Sequence, residues 1–161
     1  MAVDAFITFE SVSVGAVPAA FEIKDFSFGV ENPTTIGSAT GGATTGKVKF
    51  NEFTIKKVTD RSSPAFFKNC CAGAHYKTVT VSVRRAGGEP ADTEFLRFKF
   101  ETVFTTKIDW SGPGDEGPEE SITFIYGKLG IRSTPEEPGT KPVAAGWDQV
   151  TNKAADDFAM S

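Results

Sequence analysis

The chain has 161 residues, enough for one domain of ordinary size and enough to bury about two-thirds of its unfolded surface without a metal or disulfide staple. Its 16 Gly and 9 Pro fall short of a low-complexity composition, and a net charge of −4 with no basic run beyond Lys56-Lys57 and Arg84-Arg85 excludes the footprint of a nucleic-acid or anionic-lipid binder. There are 15 Phe, 13 Val and 18 Thr against two Leu (Leu96 and Leu129), which excludes a helix bundle. Unbranched Leu and Met fill helical cores, whereas Val, Thr and Phe suit a pleated, half-buried surface.

The elements follow from the period of apolar residues. Val3, Ala5, Ile7 and Phe9 share one face of a first strand. In the next, Phe21 and Ile23 alternate with Glu22 and Lys24, and Phe26 and Phe28 flank Ser27. Residues 47–58 carry apolar residues at Val48, Phe50, Phe53 and Ile55, a slip of phase that predicts a bulge at Asn51-Glu52. Ser63-Pro64 then starts a helix over about 63–72: Ser63 is placed as its cap, Phe66 with Cys70 and Phe67 with Cys71 as inward i,i+4 pairs, and Gly73 as its stop.

Val79, Val81 and Val83 alternate with Thr80, Ser82 and Arg84. Leu96, Phe98, Phe100, Thr102 and Phe104 alternate with Arg97, Lys99 and Glu101. Ile122, Phe124 and Tyr126 form a further strand, which Leu129 and Ile131 continue on the other phase. Seven or more such strands with turn signals between them predict a barrel or sandwich. Three segments stand apart: a glycine-rich loop over 34–46, an acidic Gly/Pro turn over 111–120, and a frayed end over 150–161.

Catalytic chemistry has little to stand on. His75 is the sole histidine, beside a turn, so every His-based triad or metal set would depend on it. Cys70 and Cys71 are adjacent, which opposes disulfide geometry, favours a reducing compartment, and places both thiols at the negative end of the helix. Asp115, Glu116, Glu119 and Glu120 lack calcium-loop spacing and are read as a solvated turn. Gly37, Gly41, Gly42 and Gly46 lead to Lys47-Val48 rather than to a phosphate-binding helix. No enzyme activity, cofactor or metal is expected. The first residues lack a basic region and an apolar stretch, so no Sec signal is read there; no apolar run is long enough to insert in a membrane.

Seven motifs in order carry a family resemblance: Met1-Ala2-Val3-Asp4-Ala5-Phe6-Ile7, Phe26-Ser27-Phe28-Gly29, Gly46-Lys47-Val48, Ser63-Pro64, Arg84-Arg85-Ala86-Gly87-Gly88-Glu89, Glu119-Glu120-Ser121-Ile122-Thr123-Phe124 and Gly146-Trp147-Asp148. Together they are similar to the haemolysin-coregulated protein (Hcp) family, the inner-tube protein of bacterial type VI secretion systems. The first hairpin (10–21) is short, Ala145 stands where the family has an aromatic, and Phe26 and Phe28 replace its tryptophans.

The resemblance implies a mainly β fold, a two-sheet β-barrel with one flanking helix and an extended loop over 34–46. It implies a single domain over 1–153 with a flexible tail over 154–161. It further implies a homo-hexameric ring that stacks into a hollow conduit, carries effectors in its lumen, and works with a spike protein and a contractile sheath. Such a protein is made in the bacterial cytoplasm and exported through the type VI apparatus without a signal peptide. Ser27 falls on the lumen-facing family position, and Ile36, Gly37, Ser38, Gly41, Gly42 and Gly46 on the loop that meets a neighbouring subunit or ring. Thr80, Ser82, Arg97 and Lys99 are read as a polar face fit for a channel wall. The alternative is an Hcp-like ring, or a binding module, acting outside a contractile apparatus; a small β-fold enzyme or carbohydrate binder is the third reading.

Overall fold

A computed structural model describes residues 3–12, 20–37, 42–85, 94–115, 117–135 and 139–161. Its strands are β1 (Val3–Val12), β2 (Ala20–Ile23), β3 (Asp25–Ser27), β4 (Val30–Glu31), β5 (Thr34–Gly37), β6 (Gly42–Thr45), β7 (Lys49–Phe50) and β8 (Phe53–Val58). After helix α1 (Ser63–Ala72) come β9 (His75–Arg85), β10 (Glu94–Gly114), β11 (Gly117–Ser133), β12 (Val143–Asp148) and β13 (Lys153–Ala154), and helix α2 (Asp156–Met160) follows.

Strand order in the main sheet is β13-β12-β11-β10-β9-β1-β2, with β8 also on β11 and β3 on β8. The long strand β11 serves two layers. Its first half, Glu119–Phe124, pairs with β8, and its second half, Lys128–Ser133, pairs with β12. The chain passes from one layer to the other between β2 and β3, where the Lys24 amide donates to the Lys56 carbonyl at 2.9 Å. The sheet's hydrogen-bonded ladder stays open at that step.

The two layers meet where β10 and β11 change phase together. Phe100 and Val103 are both fully buried, so one residue between them is out of step. That residue is Thr102, at φ 56°. It lies across from Gly127, since Glu101 pairs with Lys128 and Val103 with Tyr126. A further bulge at Thr106 returns Ile108 toward the core. Thr102 and Phe104 therefore do not continue the face of Leu96, Phe98 and Phe100; Phe104 stands half-exposed beside His75, ring centres 5.5 Å apart. Asn51-Glu52 is not a bulge either. It joins β7, paired with β4 in a separate small sheet, to β8 in the main one, and the Asn51 amide donates to the Gly29 carbonyl.

Aromatic rings fill the space between the layers. Phe53 stacks on Phe100 at 4.4 Å between centroids, and Phe9, Phe66, Tyr76 and Phe124 pack around them. Such pairs each add about 0.5–1.5 kcal/mol beyond their area.

Helix α1 occupies the expected span, ended by Gly73 at φ 67°. Its cap and inner face differ from expectation. Ser62, not Ser63, is the N-cap residue, and no side chain caps the helix. Asp60 instead accepts hydrogen bonds from the Ser62 amide and hydroxyl. Phe66 and Asn69 are buried, while Phe67 is 53% exposed and rests on Trp110, and Cys71 is exposed. The inward stripe runs through 62, 66 and 69, so the Phe67–Cys71 pair turns outward.

The segment expected as a flexible tail also differs. Residues 156–160 form α2, with Ala159 buried against β11 and β12. A Cβ added at Gly130 would stand 2.7 Å from Ala159, and one at Gly146 would strike the Ala155 carbonyl. The two glycines make the close approach possible, and the periodicity of strands gives no warning of it. No helix among the described residues is long and apolar enough to cross a membrane.

Candidate functional site

Ser27 is fixed by its neighbours. Phe26 and Phe28 both turn inward, onto Phe98 at 5.7 and 4.7 Å, so Ser27 between them faces away from the core and is exposed. Register carries its row across four strands: Ser27 is opposite Thr54, Thr54 opposite Thr123, and Thr123 opposite Lys107. The Thr54 and Thr123 hydroxyls are 3.2 Å apart. The next row is Asp25, Lys56, Ser121 and Asp109. Lys107 reaches Asp109 at 3.2 Å, and Lys24 donates to Glu119 at 2.6 Å. That hydrogen bond and the ammonium charge hold the Glu119 carboxyl below the usual range. The result is a hydroxyl-rich wall in which Lys24, Lys56 and Lys107 balance Asp25, Asp109 and Glu119.

The other layer presents no such open wall. Ser82 is buried and donates to Glu94, which also holds Arg97 at 2.9 Å. Lys99 donates to the Ser161 hydroxyl at 2.8 Å and sits 4.7 Å from the Phe158 ring centre, beneath α2. Lys128 pairs with Glu101 and meets the same ring. The face of Thr80, Ser82, Arg97 and Lys99 is thus largely occupied by the chain itself, contrary to the sequence expectation.

The 34–46 segment contains a two-stranded ladder rather than a bare loop. Thr34, Thr35, Ile36 and Gly37 pair with Thr45, Thr44, Ala43 and Gly42, and β5 and β6 pair only with each other. Gly46 closes the base by donating to the Pro33 carbonyl at 3.1 Å, and a Cβ there would lie 2.8 Å from that oxygen. Ile36 is 90% exposed. Ser38 and Gly41 lie outside the described residues.

One cluster escaped the sequence reading altogether. Lys57 and Glu120, each 2% exposed, form an ion pair at 2.6 Å beneath α1. Lys57 also donates to Asp60 at 2.9 Å and to the Ser63 hydroxyl at 3.3 Å. Ser63 donates to Glu120 at 2.8 Å, and the Trp110 indole donates to its other oxygen at 2.9 Å. Burial alone would raise the Asp60 carboxyl, but hydrogen bonds from Ser62 and Lys57 outweigh it and hold the group below its usual range. Glu119 and Glu120 belong to β11, not to a solvated turn; only the alternation of Glu120 with Ile122 and Phe124 could have marked it as inward. Cys70 is a free thiol, pushed up by burial and by Cys71.

A family model described as type VI secretion system effector, Hcp, matches residues 12–132. The chain belongs to the Hcp family of type VI secretion. Protein hcp1 of Pseudomonas aeruginosa is 28% identical over 114 residues, 68% of this chain and 70% of that one. A solved type six secretion system protein aligns with a TM-score of 0.83 at 23% identity, covering 96% of this chain and 100% of its own. Hcp1 from Salmonella typhimurium aligns at 0.74 and 20% identity with the same coverage. The tube-terminating cap of the anti-feeding prophage shares the fold at 0.55 and 12%, over 81% of this chain and 88% of the cap. Hcp membership makes the chain a subunit of the type VI secretion tube, and the family is a structural one, not a family of enzymes.

Proposed function

We propose that six copies close into a ring, that rings stack into a hollow conduit, and that the wall formed by β3, β8, β11 and β10 faces its lumen with Ser27 exposed to cargo. The observation that carries this reading is that wall: a polar face, rich in hydroxyls and balanced in charge, with Ser27, Asp25, Lys56, Lys107 and Asp109 exposed, on a sheet whose reverse is packed core. Apolar adhesion would trap cargo, whereas hydrated hydroxyls hold it by hydrogen bonds that water can replace. A closed ring is a head-to-tail assembly of two dissimilar flanks, and the molecule offers dissimilar ones, the Phe67–Trp110 pair beside α1 and, beside β12, an uncharged groove lined by Val30, Val48, Phe50, Leu129, Ile131 and Trp147. Residues 1–153 act as one unit, with α2 docked on it. The spike, the sheath and secreted effectors are its partners, it leaves the cytoplasm through the apparatus, and it catalyses no reaction.

Native mass spectrometry with negative-stain imaging tests the reading. The expected species is about six times 17.2 kDa, with an open centre. Ser27→Gln is expected to keep that mass and to lower cargo retention in co-purification. Solitary subunits at every concentration contradict the ring, and loss of rings in Ser27→Gln contradicts the placement of Ser27.

A further inference from the structure

Resting on the conduit reading, we infer that a socket at one end of the lumen wall, between Phe104, Ile125 and Val150, selects cargo by an apolar side chain that neighbours a lysine or arginine. On β11 the wall side runs Glu119, Ser121, Thr123 and then Ile125, because successive residues of a strand alternate faces. Ile125 is 45% exposed and lies opposite Phe104 on β10. The hydroxyl wall therefore ends in an apolar patch. That patch opens into a cavity of about 510 Å³, which Phe50 and Val150 also line; its size is that of a site for a small ligand or an inserted side chain.

Local structure holds the cavity open. The Tyr126 hydroxyl donates to the Asn51 carbonyl at 2.8 Å and fixes the segment that carries Glu52. The Gln149 side chain donates to the Tyr126 carbonyl, its backbone amide to the Gly127 carbonyl, and Asp148 accepts from the Val150 amide at 2.9 Å. On that pinned turn Val150 stands 77% exposed rather than collapsed onto Ile125. Thr102, also in the lining, keeps a φ of 56° that a β-branched residue rarely adopts. Strain of this kind persists only where the surroundings impose it, and it clusters at ligand sites. Glu52 is the one charged residue of the lining, exposed and without an ion-pair partner among the described residues. A cation beside the anchor pairs with it, whereas an acidic neighbour sets two carboxylates face to face. The wall's hydroxyls bind any hydrated surface; a side chain seated in a pocket adds the choice. Confined to the wall's end and open to water, the socket holds one side chain and not a whole face, so cargo is still released.

The test adds synthetic peptides to rings of the full chain and follows the methyl NMR signals of Ile125 and Val150. A peptide with a leucine beside a lysine is expected to shift both signals. Its leucine-to-serine and lysine-to-glutamate versions bind about tenfold more weakly, the scale of one lost apolar contact or one mismatched charge. Ile125→Ser and Val150→Ser each weaken the leucine–lysine peptide about tenfold with ring mass unchanged, Val150→Ile does not, and Glu52→Lys reverses the preference toward the glutamate version. Unmoved Ile125 and Val150 signals at millimolar peptide, with rings intact, overturn this inference and leave the ring reading standing. So does loss of tubes in Val150→Ser, because the socket then receives a second copy. Solitary wild-type subunits overturn both.

Discussion

The α1 anchor and the β5–β6 hairpin invert the usual distribution of side chains in opposite directions. Under α1 two charged groups, Lys57 and Glu120, are sealed from water; on the hairpin an isoleucine stands almost wholly in it. Lysine and glutamate are almost never fully buried unless paired, and here the pair is completed by Ser63, Asp60 and Trp110. The inversion inside the subunit is answered inside the subunit. The inversion at the hairpin is answered by nothing among the described residues, which sets a region that holds the subunit together against one whose apolar side chain stays in water.

The comparison breaks first at Glu120. Glu120→Ala leaves a buried ammonium without its main partner and is expected to destabilise the subunit by about 3–5 kcal/mol, read as a lower denaturant midpoint at unchanged slope. Replacing both ends, Lys57→Met with Glu120→Leu, is expected to recover most of that loss, because packed apolar groups of similar volume serve as well as a buried pair. A double variant as unstable as Glu120→Ala would show that the network holds α1 by hydrogen-bond geometry and not by charge pairing.

What the sequence disclosed divides along similar lines. Pro64 and Gly73 gave away α1 because each acts through its own backbone, and the alternation in β9 and the phase change between Tyr126 and Leu129 were legible for the same local reason. Thr102 was not: a β-branched residue at positive φ is what local preference argues against, and only the bend shared with Gly127 imposes it. The Lys57–Glu120 pair joins residues far apart in the chain, and the acidic, proline-flanked run around Glu120 imitates a solvated turn. Of the candidate site, Ser27 was readable from its flanking Phe26 and Phe28; the covered state of Ser82 and Lys99 needed Glu94 and α2 in three dimensions.

Tyr126 sharpens the comparison with a buried polar tip that carries no charge. Its hydroxyl donates to the Asn51 carbonyl at 2.8 Å, and burial pushes its pKa up to about 12. In the unfolded chain the phenol ionises near 10, so its contribution is complete below pH 10 and is lost as pH rises through about 12. Tyrosinate absorbance should therefore rise late, together with a falling denaturant midpoint. Tyr126→Phe is expected to cost about 1 kcal/mol at neutral pH and to flatten part of that alkaline decline. Tyr76, which burial also raises, acts in the same direction. A Tyr126 signal complete by pH 10 would mean that the phenol is open to solvent at the β10–β11 corner.

The smallest effect on stability is expected at the hairpin, and it discriminates most between the two regions. Replacing residues 36–45 by a two-residue turn keeps the Gly46–Pro33 closure and removes a ladder that pairs only with itself. Shortening the loop changes its closure entropy by only about 1 kcal/mol or less, so the denaturant midpoint should barely move and rings should retain their mass. Tube formation by electron microscopy should fall. Should the midpoint instead drop as far as in Glu120→Ala, the uncharged ladder is part of the fold, and exposure of Ile36 in the single subunit has a cause other than a waiting partner. An intact midpoint with lost tubes places the hairpin's contribution between copies, because a segment that stabilises nothing within its own chain exerts its effect only through contacts made outside it.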